Sequence, residues 1–124
     1  MNFNQLTNLA KKKKVQLDGI LDFDSIQNLL AKKYYVYLLE KDPDSGASGH
    51  YVALIKEQSN SYYFDSFGLP PTSEIIKVLV KPIKYSTFEI QDLDATNCGN
   101  LCIALLSEYQ KTKDFEKSVL NLVK

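Results

Sequence analysis

The residues of this sequence that are best suited to nucleophilic chemistry are a single histidine, His50, and two cysteines, Cys98 and Cys102. A thiolate is a strong nucleophile, and a neighbouring imidazole can take up and return its proton. Cys98 opens a predicted helix, where the helix dipole and unpaired backbone N–H groups favour the thiolate over the thiol. We therefore predict that Cys98 is a nucleophile and that His50 is its general base.

An acidic residue and an amide lie where predicted strands end. Asp65 follows the apolar run at residues 62–64, and its carboxylate could accept the second imidazole N–H and fix the tautomer. Gln91 lies seven residues before Cys98 (98 − 91), and its neutral amide could donate to an oxyanion together with the Cys98 N–H. Each residue alone also fits an ordinary turn, strand end or core position. The ordered set indicates an active site.

The strand pattern predicts how His50 and Asp65 meet. Residues 34–40, 50–56 and 61–64 are rich in β-branched and aromatic residues, and the short loop at 57–60 predicts an antiparallel hairpin. If Ile55 lies opposite Tyr62, the start of one strand lies beside the end of the next. Residues 15 apart (65 − 50) are then in contact. A further strand is predicted at 85–91, followed by a polar loop at 92–97.

Helical periodicity accounts for most of the remaining chain. The first predicted helix buries Phe3, Leu6, Leu9 and Ala10, and a second is capped by Asp24 or Ser25 with Ile26, Leu29 and Leu30 inside. A third, at 74–80, is capped by Thr72 or Ser73 and stopped by Pro82. The helix that Cys98 opens should be the buried centre, with these residues on one face: Leu101, Cys102, Leu105, Leu106 and Tyr109. A last helix, at 114–123, should bury Phe115, Val119, Leu120 and Leu122.

Length and composition limit the classes of function. A chain of 124 residues predicts a single domain over residues 1–124, and 44% hydrophobic with 24% charged residues is typical of a folded soluble protein. The basic run at residues 11–14 follows the first apolar residues rather than preceding an apolar segment, so we do not expect secretion. Two cysteines and one histidine cannot supply a structural zinc site without carboxylates. We expect free thiols and no required metal or cofactor.

Charge gives one candidate contact for nucleic acid. Fifteen basic residues balance fifteen acidic ones, so no global field would attract DNA. The only candidate patch is the run Lys11, Lys12, Lys13 and Lys14, whose alternative is a solvated helix end.

Four stretches resemble a known family. They resemble the adenovirus-type maturation cysteine proteases, whose relatives occur in virophages and virus-like transposons, with the SUMO-specific proteases as a more distant branch. The resemblance covers roughly residues 34–110, and its strongest element is the interval between the glutamine and the Cys-Gly pair. The stretches are Gly49-His50-Tyr51-Val52-Ala53-Leu54, Tyr63-Phe64-Asp65-Ser66-Phe67-Gly68-Leu69-Pro70-Pro71, Gln91, and Asn97-Cys98-Gly99-Asn100-Leu101-Cys102.

The resemblance implies a fold and a set of roles. The fold is an α+β, papain-like fold of the adenain and SUMO-protease type, with a mostly antiparallel central sheet packed on the helix that carries the nucleophile. His50 is then the base, Asp65 the acidic member, Gln91 the oxyanion glutamine and Cys98 the nucleophile. One departure is Tyr51, which stands where a tryptophan commonly follows the catalytic histidine and whose ring could alter the stacking on the imidazole.

The resemblance also implies a biological setting. The expected function is a thiol endopeptidase that cuts viral capsid or core precursors during virion maturation, acting as a monomer in the virion and in the cytoplasm, nucleus or virus factory of the infected cell. DNA, through the lysine run, or a peptide could act as an activator; Cys102 is either a small core residue or a partner for such a peptide. Two alternatives remain open: a protease that removes ubiquitin-like modifiers, and a non-catalytic capsid- or DNA-binding module on the same fold.

Overall fold

The fold is described from a computed structural model, for residues 2–26, 32–39, 50–87, 89–90 and 98–123. Within those residues the strands form one mixed sheet in the order β1-β2-β3-β4-β5. The two central pairings are antiparallel and the two outer pairings are parallel. The strands are β1 (Gly19–Leu21), β2 (Tyr34–Leu39), β3 (His50–Lys56), β4 (Ser61–Phe64) and β5 (Ile83–Tyr85). The helices are α1 (Phe3–Lys12), α2 (Ser73–Val78), α3 (Cys98–Thr112) and α4 (Phe115–Val123).

The hairpin of β3 and β4 has the predicted bounds and register. Ile55 is paired with Tyr62, and Ala53 with Phe64. β3 is buried along its length except at its two ends, because helices or turns cover both faces of the sheet. His50, the first residue of β3, therefore lies at the rim of the core.

α3 begins at Cys98, as predicted, and buries the predicted face against the sheet. Cys102, Leu105, Leu106 and Tyr109 are all buried, and Leu101 is partly buried. α1 packs beside α3, with Leu6 and Ala10 buried and Phe3 and Leu9 partly buried. The carboxamide of Gln110 links the far ends of both segments, because it accepts the Gln16 N–H and donates to the Gln16 carbonyl. α3 is thus held on two sides.

Two strands differ from the sequence-based expectation. β1 lies in the first third of the chain, where only helices were expected, and it forms by parallel pairing with β2 rather than from a local pattern of its own. The strand expected at 85–91 lies earlier: the Ser61 N–H donates to the Pro82 carbonyl at 3.0 Å, and this bond starts the parallel ladder of β4 with β5 directly after Pro82. Tyr85 is the last residue of β5, and residues 86–87 and 89–90 are outside any strand.

Smaller corrections concern helix ends. α2 ends at Val78, two residues before the expected end, and its N-cap is Thr72, without a side-chain capping bond. Asp24 or Ser25 was expected to cap a second helix; in the turn at residues 22–25 the Asp22 side chain accepts the Ser25 N–H, and the inner residues expected at 29 and 30 lie outside the described residues. Leu120 is 48% exposed although burial was expected, since it falls outside the face of α4 that Phe115 and Val119 define.

No helix in the described part of the chain combines the length and apolar character needed to cross a bilayer.

Candidate active site

Cys98 lies at the first position of α3 and is half-buried. Its Sγ accepts the backbone N–H of Tyr51 at 3.4 Å, which joins the start of the helix to the start of β3. Burial alone would raise the pKa of the Cys98 thiol. Hydrogen bonds from His50 and from the backbone of Tyr51 and Gly99, together with the His50 charge, outweigh burial and lower the pKa below its ordinary value. This environment is typical of a reactive thiol.

His50 contacts both proposed partners. Its Nε2 lies 2.7 Å from Asp65 Oδ1, and a second side-chain hydrogen bond joins the imidazole to Cys98. Burial lowers the His50 pKa, but the hydrogen bonds and charges of Asp65 and Cys98 raise it from 6.5 to about 9. Because Nε2 donates to the carboxylate, Nδ1 is the ring nitrogen left for the thiol.

Asp65 is the buried anchor of this arrangement, with 1% of its surface exposed. Its Oδ1 accepts the backbone N–H of Phe67 at 2.8 Å in addition to the imidazole. The Asp65 carbonyl accepts the Gly68 N–H at 2.8 Å and closes a tight turn in which Gly68 adopts a φ of 77°. A side chain is disfavoured at that φ, so the glycine lets the chain turn directly after the carboxylate.

Phe67 is a site residue that the sequence analysis did not assign. Its ring stacks on the His50 imidazole, with 4.5 Å between ring centroids and 22° between ring planes. No strand pattern identifies it, because the β3–β4 ladder ends at Phe64 and Phe67 lies in the turn that follows.

The Tyr51 ring does not take the place of the expected tryptophan. Tyr51 is buried, and its ring lies 6.4 Å from the Phe3 ring of α1, at 54°. The stacking on the imidazole comes instead from Phe67, on the far side of the hairpin.

Gln91 lies outside the described residues, so the oxyanion assignment stays a prediction. The residue before it, Ile90, donates its N–H to the Ser66 carbonyl at 2.8 Å. Ser66 directly follows Asp65, so the chain is tied beside the Asp65 turn one residue before Gln91.

Cys102 is fully buried one helical turn after Cys98, as expected of a small core residue. Burial, followed by the nearby Cys98 and Asp65 charges, raises its pKa well above the ordinary value. Cys102 is therefore a neutral thiol. No cluster of three or more metal-ligating side chains occurs among the residues that the structure describes.

The geometry defines what these groups can do. A lowered thiol pKa and a raised imidazole pKa favour proton transfer from Cys98 to His50, which gives a thiolate beside an imidazolium. The buried carboxylate balances the imidazolium and fixes the ring. These three groups are the ones that nucleophilic acyl transfer by a cysteine requires.

Comparison with solved structures identifies the fold. The selenomethionine form of the ASFV pS273R protease has a TM-score of 0.61 at 16% sequence identity, over 96% of this chain and 61% of that one. The chain has the papain-like α+β fold of that protease. A second structure of the same protease has a TM-score of 0.60 at 14% identity, over 96% and 60% of the two chains. AvrA delL154 with IP6 and CoA has a TM-score of 0.51 at 14% identity, over 96% and 54%.

The likeness lies in three-dimensional structure rather than in sequence. No protein-family model and no curated protein sequence matches the chain. The chain spans about 61% of the length of the ASFV protease that it matches.

Proposed function

We propose that this protein is a cysteine endopeptidase with Cys98 as nucleophile, His50 as acid and base, and Asp65 as the residue that orients His50. The observation that supports this proposal most directly is the chain of hydrogen bonds from Asp65 through His50 to Cys98 at the start of α3. The fold that it shares with a protease supports the same activity. A structural cysteine has no need of a partner that lowers its pKa.

In the proposed reaction the Cys98 thiolate attacks the scissile carbonyl carbon and forms a C–S bond. The carbonyl electrons move to oxygen, and the Cys98 N–H and the Gln91 amide donate to this oxyanion. The intermediate collapses, the C–N bond breaks, and the imidazolium of His50 gives its proton to the leaving amine. Neutral His50 then takes a proton from water, which hydrolyses the thioester and releases the acid and the thiol.

The first experiment needs no substrate. We expect iodoacetamide to alkylate Cys98 rapidly well below pH 7, because the thiolate persists beside the imidazolium. Mass spectrometry of the two cysteine peptides reads both rates in one sample, with buried Cys102 as the internal control. The His50→Ala variant should slow Cys98 labelling to the rate of an ordinary thiol. Slow labelling that is the same in both proteins would contradict the assignment.

The proposed substrate is a viral capsid or core precursor, cut next to small residues such as glycine. The support is the resemblance of the four sequence stretches to maturation proteases, together with the fold of the ASFV protease. A panel of precursor capsid proteins and Gly-Gly-linked modifier conjugates, each incubated with wild type and Cys98→Ala, distinguishes the proposal from removal of ubiquitin-like modifiers. Cleavage of neither class, with Cys98 unreactive, would favour a non-catalytic binding module.

DNA is the proposed polyanionic partner, in the virion and infected cell where a maturation protease would act. Lys11 and Lys12 form the basic last turn of α1, and Lys13 and Lys14 continue the run, all exposed. Lys12 and Lys13 also line, with Lys111 of α3, an open groove of about 640 Å³. A fluorescence titration with duplex DNA at low and moderate salt should show a large loss of affinity, since each lysine that neutralises a phosphate releases a counterion. Salt-independent affinity would contradict this contact.

A further inference from the structure

We propose that Phe67 is a positioning residue that stabilises the imidazolium of His50 through the face of its ring and holds Asp65 through its backbone N–H. The inference rests on the proposed function, because it concerns the acid–base pair of the same site. It also explains which ring stacks on the imidazole in a chain that has Tyr51 where the resemblance predicts a tryptophan.

The geometry of the two rings supports the proposed stabilisation of the imidazolium by Phe67. Centroids 4.5 Å apart and planes inclined by 22° place the imidazole over the Phe67 face rather than against its edge. The face of an aromatic ring carries the negative end of its quadrupole, so it attracts a cation more strongly than a neutral ring. The His50 side chain is only 17% exposed, so water screens this attraction weakly.

The backbone geometry carries the second part. The Phe67 N–H and the His50 Nε2 meet the same Asp65 oxygen, at 2.8 and 2.7 Å. One residue thus fixes both the acceptor and the plane of the ring that donates to it. The turn that Gly68 closes holds Phe67 in this position, so the arrangement costs little further ordering on substrate binding.

Among the described residues, the other groups near His50 do not supply an aromatic face that could stabilise the imidazolium. Asp65, at the end of β4, and Cys98, on α3, are the charged partners that raise the His50 pKa. The Tyr51 and Tyr63 hydroxyls and the Cys102 thiol have pKa values that burial raises, so they are neutral at physiological pH. Phe67 is the aromatic face in contact with the imidazole.

The experiment uses the fact that His50 is the single histidine of the chain. Isotope-labelled histidine gives one imidazole signal by NMR, and its titration is measured in wild type and in Phe67→Leu, which retains bulk and the backbone N–H but loses the ring face. We expect the His50 pKa to fall by roughly 0.4 to 1.5 in the leucine variant, and Phe67→Trp to restore it.

A matched control uses the same exchange at another stacked pair. Phe115 stacks on Tyr62 at 4.9 Å and 20°, remote from the catalytic residues, so Phe115→Leu should leave the His50 pKa unchanged. The comparison of wild type with Phe67→Leu is repeated in a Cys98→Ser background. This change removes the coupled thiol, so the imidazole titrates without its proton-sharing partner. Phe67→Met serves as the second apolar variant if the leucine protein does not fold.

Two results would overturn the inference: an unchanged His50 pKa in the folded Phe67→Leu or Phe67→Met protein, or an equal fall in Phe115→Leu. Peptide hydrolysis is scored separately. A lower His50 pKa in a protein that cleaves no peptide would uphold the role of Phe67 and count against the proposed endopeptidase.

Discussion

Cys98 and Cys102 are the same residue type on the same helix, one turn apart, in opposite environments. Cys98 is half-buried beside His50 and a backbone N–H from β3, and its pKa is lowered. Cys102 is fully buried among apolar residues, and its pKa is raised. The difference shows that the position on the helix and the polar neighbours decide the reactivity of a thiol, rather than the residue type.

The strongest test of this comparison replaces each cysteine by alanine. Cys98→Ala should lower turnover of a glycine-rich fluorogenic peptide on the order of 10⁴-fold or more, because the covalent route is lost. Cys102→Ala should stay within about threefold once corrected for the folded fraction, since buried truncations act mainly through stability. Equal losses in the two variants would erase the proposed distinction.

The next effect concerns Asp65, the carboxylate that pairs with His50 beside Cys98. Asp65→Ala leaves the imidazole without its acceptor but retains both the base and the nucleophile. By analogy with other triads we expect roughly 100-fold more residual activity than in Cys98→Ala. The same peptide assay measures it, with circular dichroism as the check on folding. Full wild-type turnover in Asp65→Ala would remove Asp65 from the mechanism.

The pH dependence of wild type is a third test. Below about pH 9 His50 is protonated and can give its proton to the leaving amine; above that pH the imidazolium is lost. Turnover should therefore fall on the alkaline side of about pH 9, approaching tenfold per pH unit. On the acid side, activity should persist below the ordinary pKa of a thiol, because the Cys98 pKa is lowered. A fall that begins near pH 6.5 would mean that the His50 pKa is not raised.

The smallest effect is on protein stability, and it concerns Cys102, the buried one of the two cysteines. Cys102→Ser places a hydroxyl where the thiol is fully buried, and we expect the free energy of unfolding to fall by roughly 1 to 3 kcal/mol. Urea denaturation of wild type, Cys102→Ser and Cys102→Ala separates the polar cost from the loss of volume. A serine variant as stable as wild type would mean that the site is wetter than its burial indicates.

The parts of the fold that the sequence predicted are those set by local patterns. The β3–β4 hairpin has a short loop between two runs of β-prone residues, and α3 has a clear apolar stripe, so both begin where expected. The hairpin also predicts that His50 and Asp65 lie near each other, as they do.

The parts that it missed depend on distant partners. β1 has three residues, too few for a period, and it exists because β2 lies beside it. β5 was placed too late, since its start depends on a hydrogen bond between Ser61 and Pro82, 21 residues apart (82 − 61). Phe67 was missed because it lies in a turn after β4, where residue type predicts no stacking partner.

The separation of the site residues along the chain has a consequence for synthesis. Cys98 follows His50 by 48 residues (98 − 50), and α3 must pack on β3 before the two side chains meet. A growing polypeptide that has not yet released α3 from the ribosome carries His50 and Asp65 without Cys98 beside them. The contacts that lower the pKa of the Cys98 thiol therefore form only when the core is complete, so an enzyme of the proposed kind would be inactive while the chain is unfinished.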